Sequence, residues 1–395
     1  MQVLVLDTIH GGRAIAAAYA AAGATVDAVD VYRGTTPEAE ERAKREQYDL
    51  VTAPVHLDPD HPLLLLQKAP AITHHEAVRR LLGDSLPHPM IEITGAQGKT
   101  TTAHALAHVL PGPGILHTSA GTYLFPGKQF LEKMSITPGS VLSAAARARE
   151  AGGWLVAEES LGVTGAGDLA IITSGKDYRC ANEKKSALAV KLASVRESPR
   201  VLLAPGIAAP DAGNAVHLDE VAGVSGRTCT IRVSGRDYRF ENTLLLLDGY
   251  RTPLALAGTA AALLGYDPAA LSTFSGIPGR MSVRVLGNVT VVDNSNSGTN
   301  AETTIEAARY ARACTGRKEL TLVIGQAESD GAVCEGFGED GIARAIREID
   351  PDTVIRVGGQ PAPGSTHCTS LFEAEKKALE TTRAGAVVLA VKTWR

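Results

Sequence analysis

Met90-Ile91-Glu92-Ile93-Thr94-Gly95-Ala96-Gln97-Gly98-Lys99-Thr100-Thr101-Thr102 decides how this chain is read. Met90 to Ile93 is a short apolar strand, and Ala103 to Leu110, just beyond, has the composition of a helix. Strand, glycine turn, Lys-Thr and helix make a phosphate cradle. Gly95 and Gly98 let backbone N–H groups turn inward with no Cβ in the way. The helix N-terminus adds partial positive charge. Lys99 is placed to reach the β- and γ-phosphates, and Thr100 to put its hydroxyl on Mg²⁺. The expected nucleotide contacts are therefore Gly95, Ala96, Gln97, Gly98, Lys99, Thr100 and Thr101, with ATP and Mg²⁺ as cofactors. A plain glycine turn with a solvated lysine fits the Lys-Thr-Thr-Thr run less well.

The rest of the composition narrows the class. At 395 residues the chain has room for two or three domains of roughly 100–200 residues each. Its 39 basic and 43 acidic residues give a net charge of −4, and there is no basic run, so nothing marks a nucleic-acid surface. Aromatics at 4% argue against base stacking. Cys180, Cys229, Cys314, Cys334 and Cys368 are scattered and form no Cys-x-x-Cys pair, which fits idle thiols in a reducing compartment. Met1 to Asp7 reads as a strand rather than a signal peptide, and no apolar stretch reaches membrane-span length. The expectation is a soluble cytoplasmic enzyme with neither a nucleic-acid nor a membrane partner.

Strands and helices alternate throughout, which predicts α/β domains with mainly parallel sheets. Residues 1–87 form a first, Rossmann-like unit. Its strands are Val3 to Leu6, Thr25 to Val31 and Asp49 to Val55, with helices at Arg13 to Ala22 and Glu38 to Gln47. Residues 88–275 form a central domain opened by the phosphate loop. Its strands are Trp154 to Ala157, Leu169 to Thr173 and Val201 to Ala204; helices are expected at Lys184 to Val195 and Leu254 to Leu264, around a β-rich patch that includes Tyr238 to Leu247. Residues 276–395 form a last α/β domain, also Rossmann-like, with strands at Val289 to Val292, Leu320 to Ile324, Thr353 to Val357 and Ala386 to Val391.

Four separated features fall in one order. After the phosphate loop comes Glu158-Glu159-Ser160 at a strand's C-terminal end, where carboxylates are placed to hold Mg²⁺. Thr173-Ser174-Gly175-Lys176-Asp177 precedes a helix carrying Lys191. Gly276-Ile277-Pro278-Gly279-Arg280-Met281 leads through a strand to the stretch from Asp293 to Asn300.

This order resembles the Mur ligase family, the ATP-dependent ligases of peptidoglycan and folylpolyglutamate synthesis. The Gly-x-x-Gly-Lys-Thr-Thr loop, Pro278-Gly279-Arg280-Met281, the Asp293-to-Asn300 spacing and Thr137-Pro138-Gly139 carry the likeness, which covers roughly residues 90–330. The resemblance implies three domains, with the C-terminal α/β domain closing over ATP, and carboxylate activation through an acyl phosphate. It implies catalytic roles for Lys99, Glu158, Glu159, Lys191 and Arg280. Thr100 with Glu158 or Glu159 would hold metal, Arg280 would reach the phosphates, and Asp293 and Asn300 would serve the nucleotide site. Lys191 stands where the family carries a carbamylated lysine, with a snorkelling surface lysine as the alternative. Tyr178 stands where the family has a histidine, and tyrosine is a poor Mg²⁺ ligand. Arg251-Thr252 replaces a His-Asn pair, and no UDP-sugar loop is evident.

Leu6-Asp7-Thr8-Ile9-His10-Gly11-Gly12 with Val29-Asp30-Val31-Tyr32 is similar to one branch of the family, which acts on a nickel-containing tetrapyrrole. That likeness implies C–C ring closure within the macrocycle, and intramolecular attack needs no second-substrate pocket. Such a substrate carries several carboxylates. His10 and His117 are the expected contacts, and His74-His75 is weighed as a solvated helix start. The competing enzyme reading is an amide ligase that joins an amino acid or amine to a carboxylated acceptor. It calls for an Arg-rich C-terminal pocket, whereas Gly325 to Asp330 offers acid. A nucleotide-regulated scaffold would retain the loop and lose Glu158, Glu159 and Asp293.

Overall fold

Val3 to Leu6 are fully buried, and the strand they build, Gln2–Leu6, lies inside a four-stranded parallel sheet. Its neighbours are Thr25–Val29 on one side and Leu50–Ala53, then Ala71–Thr73, on the other. The computed structural model describes residues 1–208, 213–296, 299–316, 319–327, 337–361 and 363–393. These fall into two units, Met1–Ser272 and Thr273–Arg395.

The first unit holds two main sheets. Beside the N-terminal one stands an eight-stranded sheet. Its central run is Ala215–His217, Val201–Leu203, Leu169–Ile172, Met90–Thr94, Trp154–Glu158 and Gly114–Thr118, all parallel. Gly121–Phe125 and Gln129–Glu132 extend it antiparallel. The boundary near residue 87 separates the sheets but not their core. Val3, Val5, Ile15, Val78 and Leu82 from the N-terminal side pack in one cluster with Val141, Ala144, Ala148 and Leu155. A shared dry core of this kind fixes the two layers against each other.

The turn after the first strand reinforces that contact. Gly11 has φ +95°, and a Cβ there would lie 2.9 Å from the Gly139 nitrogen; a Cβ on Gly139 would lie 2.3 Å from the Gly11 carbonyl oxygen. Two glycines thus let the His10-Gly11-Gly12 turn touch the first turn of helix Pro138–Glu150 backbone to backbone.

Some expected elements differ. The helix expected from Lys184 begins at Ala187, because Lys185–Ser186 pairs with Arg179–Cys180 as a small ribbon and Ser186 caps the helix. The β-rich patch stops at Glu241: the Asn242 side chain accepts from Leu244 N–H and starts a 3₁₀ turn, Thr243–Leu246. The following helix starts earlier than expected, at Asp248. In the second unit the sheet order is Ser282–Leu286, Val289–Asp293, Gly385–Lys392, Glu319–Gln326, Thr353–Val357 and Thr366–Cys368, parallel except for its first pair. No described helix is long and apolar enough to cross a membrane. Cys180, Cys229, Cys314 and Cys368 are free thiols; Cys334 lies outside the described residues.

Candidate active site

The phosphate loop lies at the C-terminal end of Met90–Thr94, and Gly98, with φ +85°, caps helix Lys99–Val109. The neighbouring strand Leu169–Ile172 leads into a prop for the loop: the Thr173 hydroxyl donates to the Gln97 carbonyl at 2.6 Å. Gly95 has no room for a side chain, since a Cβ would lie 2.2 Å from that hydroxyl. Lys99 Nζ donates to the Gly95 carbonyl at 3.1 Å and stands 3.8 Å from Glu158 Oε1. The Thr100 hydroxyl donates to Glu158 Oε2 at 2.9 Å, and Ser119 N–H reaches the same oxygen at 3.1 Å. Lys99, Thr100, Ser119 and Glu158 therefore converge at three strand ends, those of Met90–Thr94, Gly114–Thr118 and Trp154–Glu158. The Thr100 hydroxyl and the Glu158 carboxylate form a hard oxygen donor set suited to a divalent cation of the Mg²⁺ type.

Glu159 does not join them. It is fully buried on the other side of the strand, facing Glu92. Glu92 accepts hydrogen bonds from Thr164 N–H, the Thr164 hydroxyl and Gly167 N–H. Burial, and then the charge of Glu92, raises the Glu159 carboxyl well above the usual range and so favours its protonated form. Adjacent strand residues point to opposite faces, so only one of the two glutamates can reach the loop.

Lys191 is a buried residue, 1% exposed, and not a snorkelling surface lysine. Its ammonium lies 4.6 Å from the Tyr178 ring centre. Burial, and next the charge of Lys99, lowers it from 10.5 to about 8. Asp177 nearby is committed to Ser186 and to the N–H of Leu188.

Beyond Glu158 the chain turns along a cavity of about 270 Å³ between the two sheets of the first unit, lined by His10, His56, His74, His75, Thr137 and Ser160 among others. Three of these histidines follow the C-terminal ends of adjacent parallel strands: His10 after Gln2–Leu6, His56 after Leu50–Ala53 and His74 after Ala71–Thr73. His75 Nε2 donates to the Ser160 carbonyl at 3.0 Å. Burial pushes His56 and His75 down to about 4 and His74 to about 3. The His74-His75 pair is thus buried wall and not a solvated helix start. His117 is elsewhere, fully buried in Gly114–Thr118, with Nδ1 3.0 Å from the Thr122 hydroxyl. Through Thr137 the cavity adjoins a groove of about 380 Å³ that carries Arg13 and Arg33.

In the second unit, Asp293 ends its strand 4% exposed and accepts from Ser295 N–H. The Asn296 amide donates to the Gly279 carbonyl at 2.6 Å, which ties the Arg280 turn to the Asp293 strand end. Asn300 caps helix Ala301–Thr315 in a reciprocal box with Thr303. Ser297, Gly298 and the acidic positions Glu328 and Asp330 lie outside the described residues.

Residues 283–393 match the family model described as coenzyme F430 synthetase CfbE, C-terminal domain. Over its whole length the chain is 31% identical to a coenzyme F(430) synthetase of Methanosarcina acetivorans, covering 99% of that protein. The chain belongs to the coenzyme F(430) synthetase family. That membership makes it an ATP-dependent ligase-type enzyme. Half of the chain is also 25% identical to the coenzyme F(430) synthetase of Methanocaldococcus jannaschii, over 50% of that protein. The fold is that of Mur ligases. A UDP-N-acetylmuramate-alanine ligase from Thermotoga maritima superposes with a TM-score of 0.52 at 15% identity, covering 99% of this chain and 95% of that one. MurF from Acinetobacter baumannii gives 0.55 at 12%, covering 89% of each chain.

Sequence reading singled out His10 but not Asp7, His56, Arg13, Arg33 or Ser119. The signal for His56 was available: ligands of open α/β sheets bind beyond the carboxyl ends of strands, and this is where the histidines recur.

Proposed function

We propose that this enzyme uses ATP to activate a side-chain carboxylate of a nickel-containing seco-tetrapyrrole as an acyl phosphate. A carbon nucleophile of the same macrocycle then displaces phosphate and closes a carbocyclic ring, giving coenzyme F430, ADP and phosphate. The observation that carries the reading is adjacency. Glu158, beside Lys99 and Thr100, is two residues from Ser160, which lines the histidine cavity, so one short segment joins the phosphate loop's carboxylate to the cavity wall. Thr100 and Glu158 would hold Mg²⁺, which supplies charge neutralisation on the phosphates when bound. Lys99 adds a fixed positive charge. The cavity walls are mostly apolar carbon, with His56, His74 and His75 held toward the neutral form by burial, a lining that suits an intermediate water would hydrolyse. Arg13 and Arg33 suit the outlying carboxylates of a polyanionic macrocycle. Lys191, buried and lowered to about 8, suits CO₂ uptake as a carbamate, since only the neutral amine adds CO₂.

Anaerobic incubation with MgATP and the nickel seco-precursor tests the proposal by mass spectrometry and ADP assay. The expected result is loss of one water from the macrocycle with one ADP formed. ATP binding without conversion would overturn it and favour an amide-forming ligase.

A further inference from the structure

Ring closure through carbon requires that a C–H proton be removed, and the cavity contains one histidine built for that task. Asp7 is fully buried and holds the left-handed φ of 97° at the end of its strand. One carboxylate oxygen accepts from Ile9 N–H at 2.7 Å. The other accepts from His10 N–H at 2.9 Å and faces His10 Nδ1 at 3.0 Å. A carboxylate can only accept, so Nδ1 carries a proton, and in the neutral ring Nε2 is the nitrogen with the lone pair. The ring is held edge-on by His56 at 4.6 Å and by Tyr32 at 5.1 Å between centroids. His10 lines the cavity.

We propose that His10, positioned by Asp7, is the general base of ring closure; this rests on the function proposed above. His10 Nε2 takes the proton from the nucleophilic carbon. The electron pair left there forms the C–C bond to the acyl carbon, and the acyl C–O bond breaks, releasing phosphate with its electrons. The imidazolium then passes its proton to water.

The other imidazoles suit the task less. Among the described residues no carboxylate is hydrogen-bonded to His56, His74 or His75, and burial makes each a weak base. They are neutral walls that keep the site dry. The titratable groups packed around His10 are Asp7, Tyr32, His56 and His74, with Lys185 beyond His56. Asp7, His10 and His56 are also close enough together to suggest a metal site. However, the Asp7 oxygens are already committed to three donors, which is the pattern of an orienting group.

The test separates activation from closure. Hydroxylamine intercepts an acyl phosphate as a hydroxamate, so ADP and hydroxamate report the first step and the cyclised macrocycle the second. In His10→Gln, closure should fall by roughly 10²–10⁴ while hydroxamate still forms, and the ascending limb of the pH–rate profile of closure should disappear. Asp7→Asn keeps the left-handed turn but reverses the tautomer; it should lose closure with hydroxamate retained and with an altered pH profile. If His10 only binds substrate, hydroxamate and closure fall together, and the base assignment is overturned. It is equally overturned if closure tracks a transition metal that copurifies with wild type and is lost from His10→Gln. Absence of substrate-dependent ADP and hydroxamate in the wild type would instead remove the function on which the assignment rests.

Discussion

Glu158 and Glu159 are neighbours with opposite fates, and a single peptide bond separates their chemistry. Glu158 meets Thr100 and Lys99, so Glu158→Gln should lower turnover by roughly 10² or more, through loss of charge at the phosphates. Steady-state ADP release measures this. Glu159 is a stability residue. Its native carboxyl keeps a proton that the unfolded chain loses near the ordinary value of 4.5. Above that pH the unfolded state binds fewer protons, so wild-type stability falls by about 1.4 kcal/mol per pH unit until the native carboxyl itself ionises. Glu159→Gln cannot ionise. Its melting temperature should exceed the wild-type value by a margin that grows as pH rises above the ordinary carboxylate value, and a flat or negative margin would contradict the buried-acid reading. Lys191→Met should likewise raise the melting temperature at neutral pH by removing a buried ammonium, while turnover falls at least about tenfold. If the lysine works as a carbamate, wild-type turnover should fall when CO₂ is stripped and return with bicarbonate, whereas Lys191→Met should respond to neither.

At the scale of elements, the local parts were legible and the converging parts were not. Gly95, Gly98, Lys99 and Thr100 lie within one strand–turn–helix, so their spacing alone specifies a cradle. Which of two adjacent glutamates faces it depends on strand register, which Glu158-Glu159 does not encode by itself. The cavity needs five segments at once, around His10, His56, His74, Thr137 and Ser160, and no sequence period links them. Gly11-Gly12, read in the sequence only within the stretch that resembles one branch of the family, turned out to be a joint. Its backbone meets the turn at Thr137-Pro138-Gly139, a segment noted only for its family likeness. Gly139→Ala should therefore destabilise the first unit by about 1–3 kcal/mol, since its Cβ would meet a carbonyl oxygen and not a movable side-chain end. Denaturant unfolding with an unchanged midpoint would show that the two turns are not locked together.

At the scale of the whole molecule, protons should separate the two units. Ten of the eleven histidines lie in residues 1–272; the second unit carries only His367. Burial lowers His75 and His117 from 6.5 to about 4, and His74 to about 3. Between pH 6.5 and 4 the unfolded chain therefore binds protons that the native first unit refuses. The sign follows directly: more protons on the unfolded state means stability that is intact above pH 6.5 and is lost as pH falls. Each such histidine contributes a slope of about 1.4 kcal/mol per pH unit. The second unit has no comparable set of histidines, so its melting should move less across this window. Calorimetry between pH 7 and 4.5 should resolve one acid-sensitive transition and one that moves little. Substituting His75 by an apolar residue of similar volume should flatten the first, because it removes the proton acceptor together with its bond to the Ser160 carbonyl. Should both transitions shift in parallel, the buried imidazoles do not govern acid stability, and the neutral, dry wall inferred for the cavity loses its thermodynamic support.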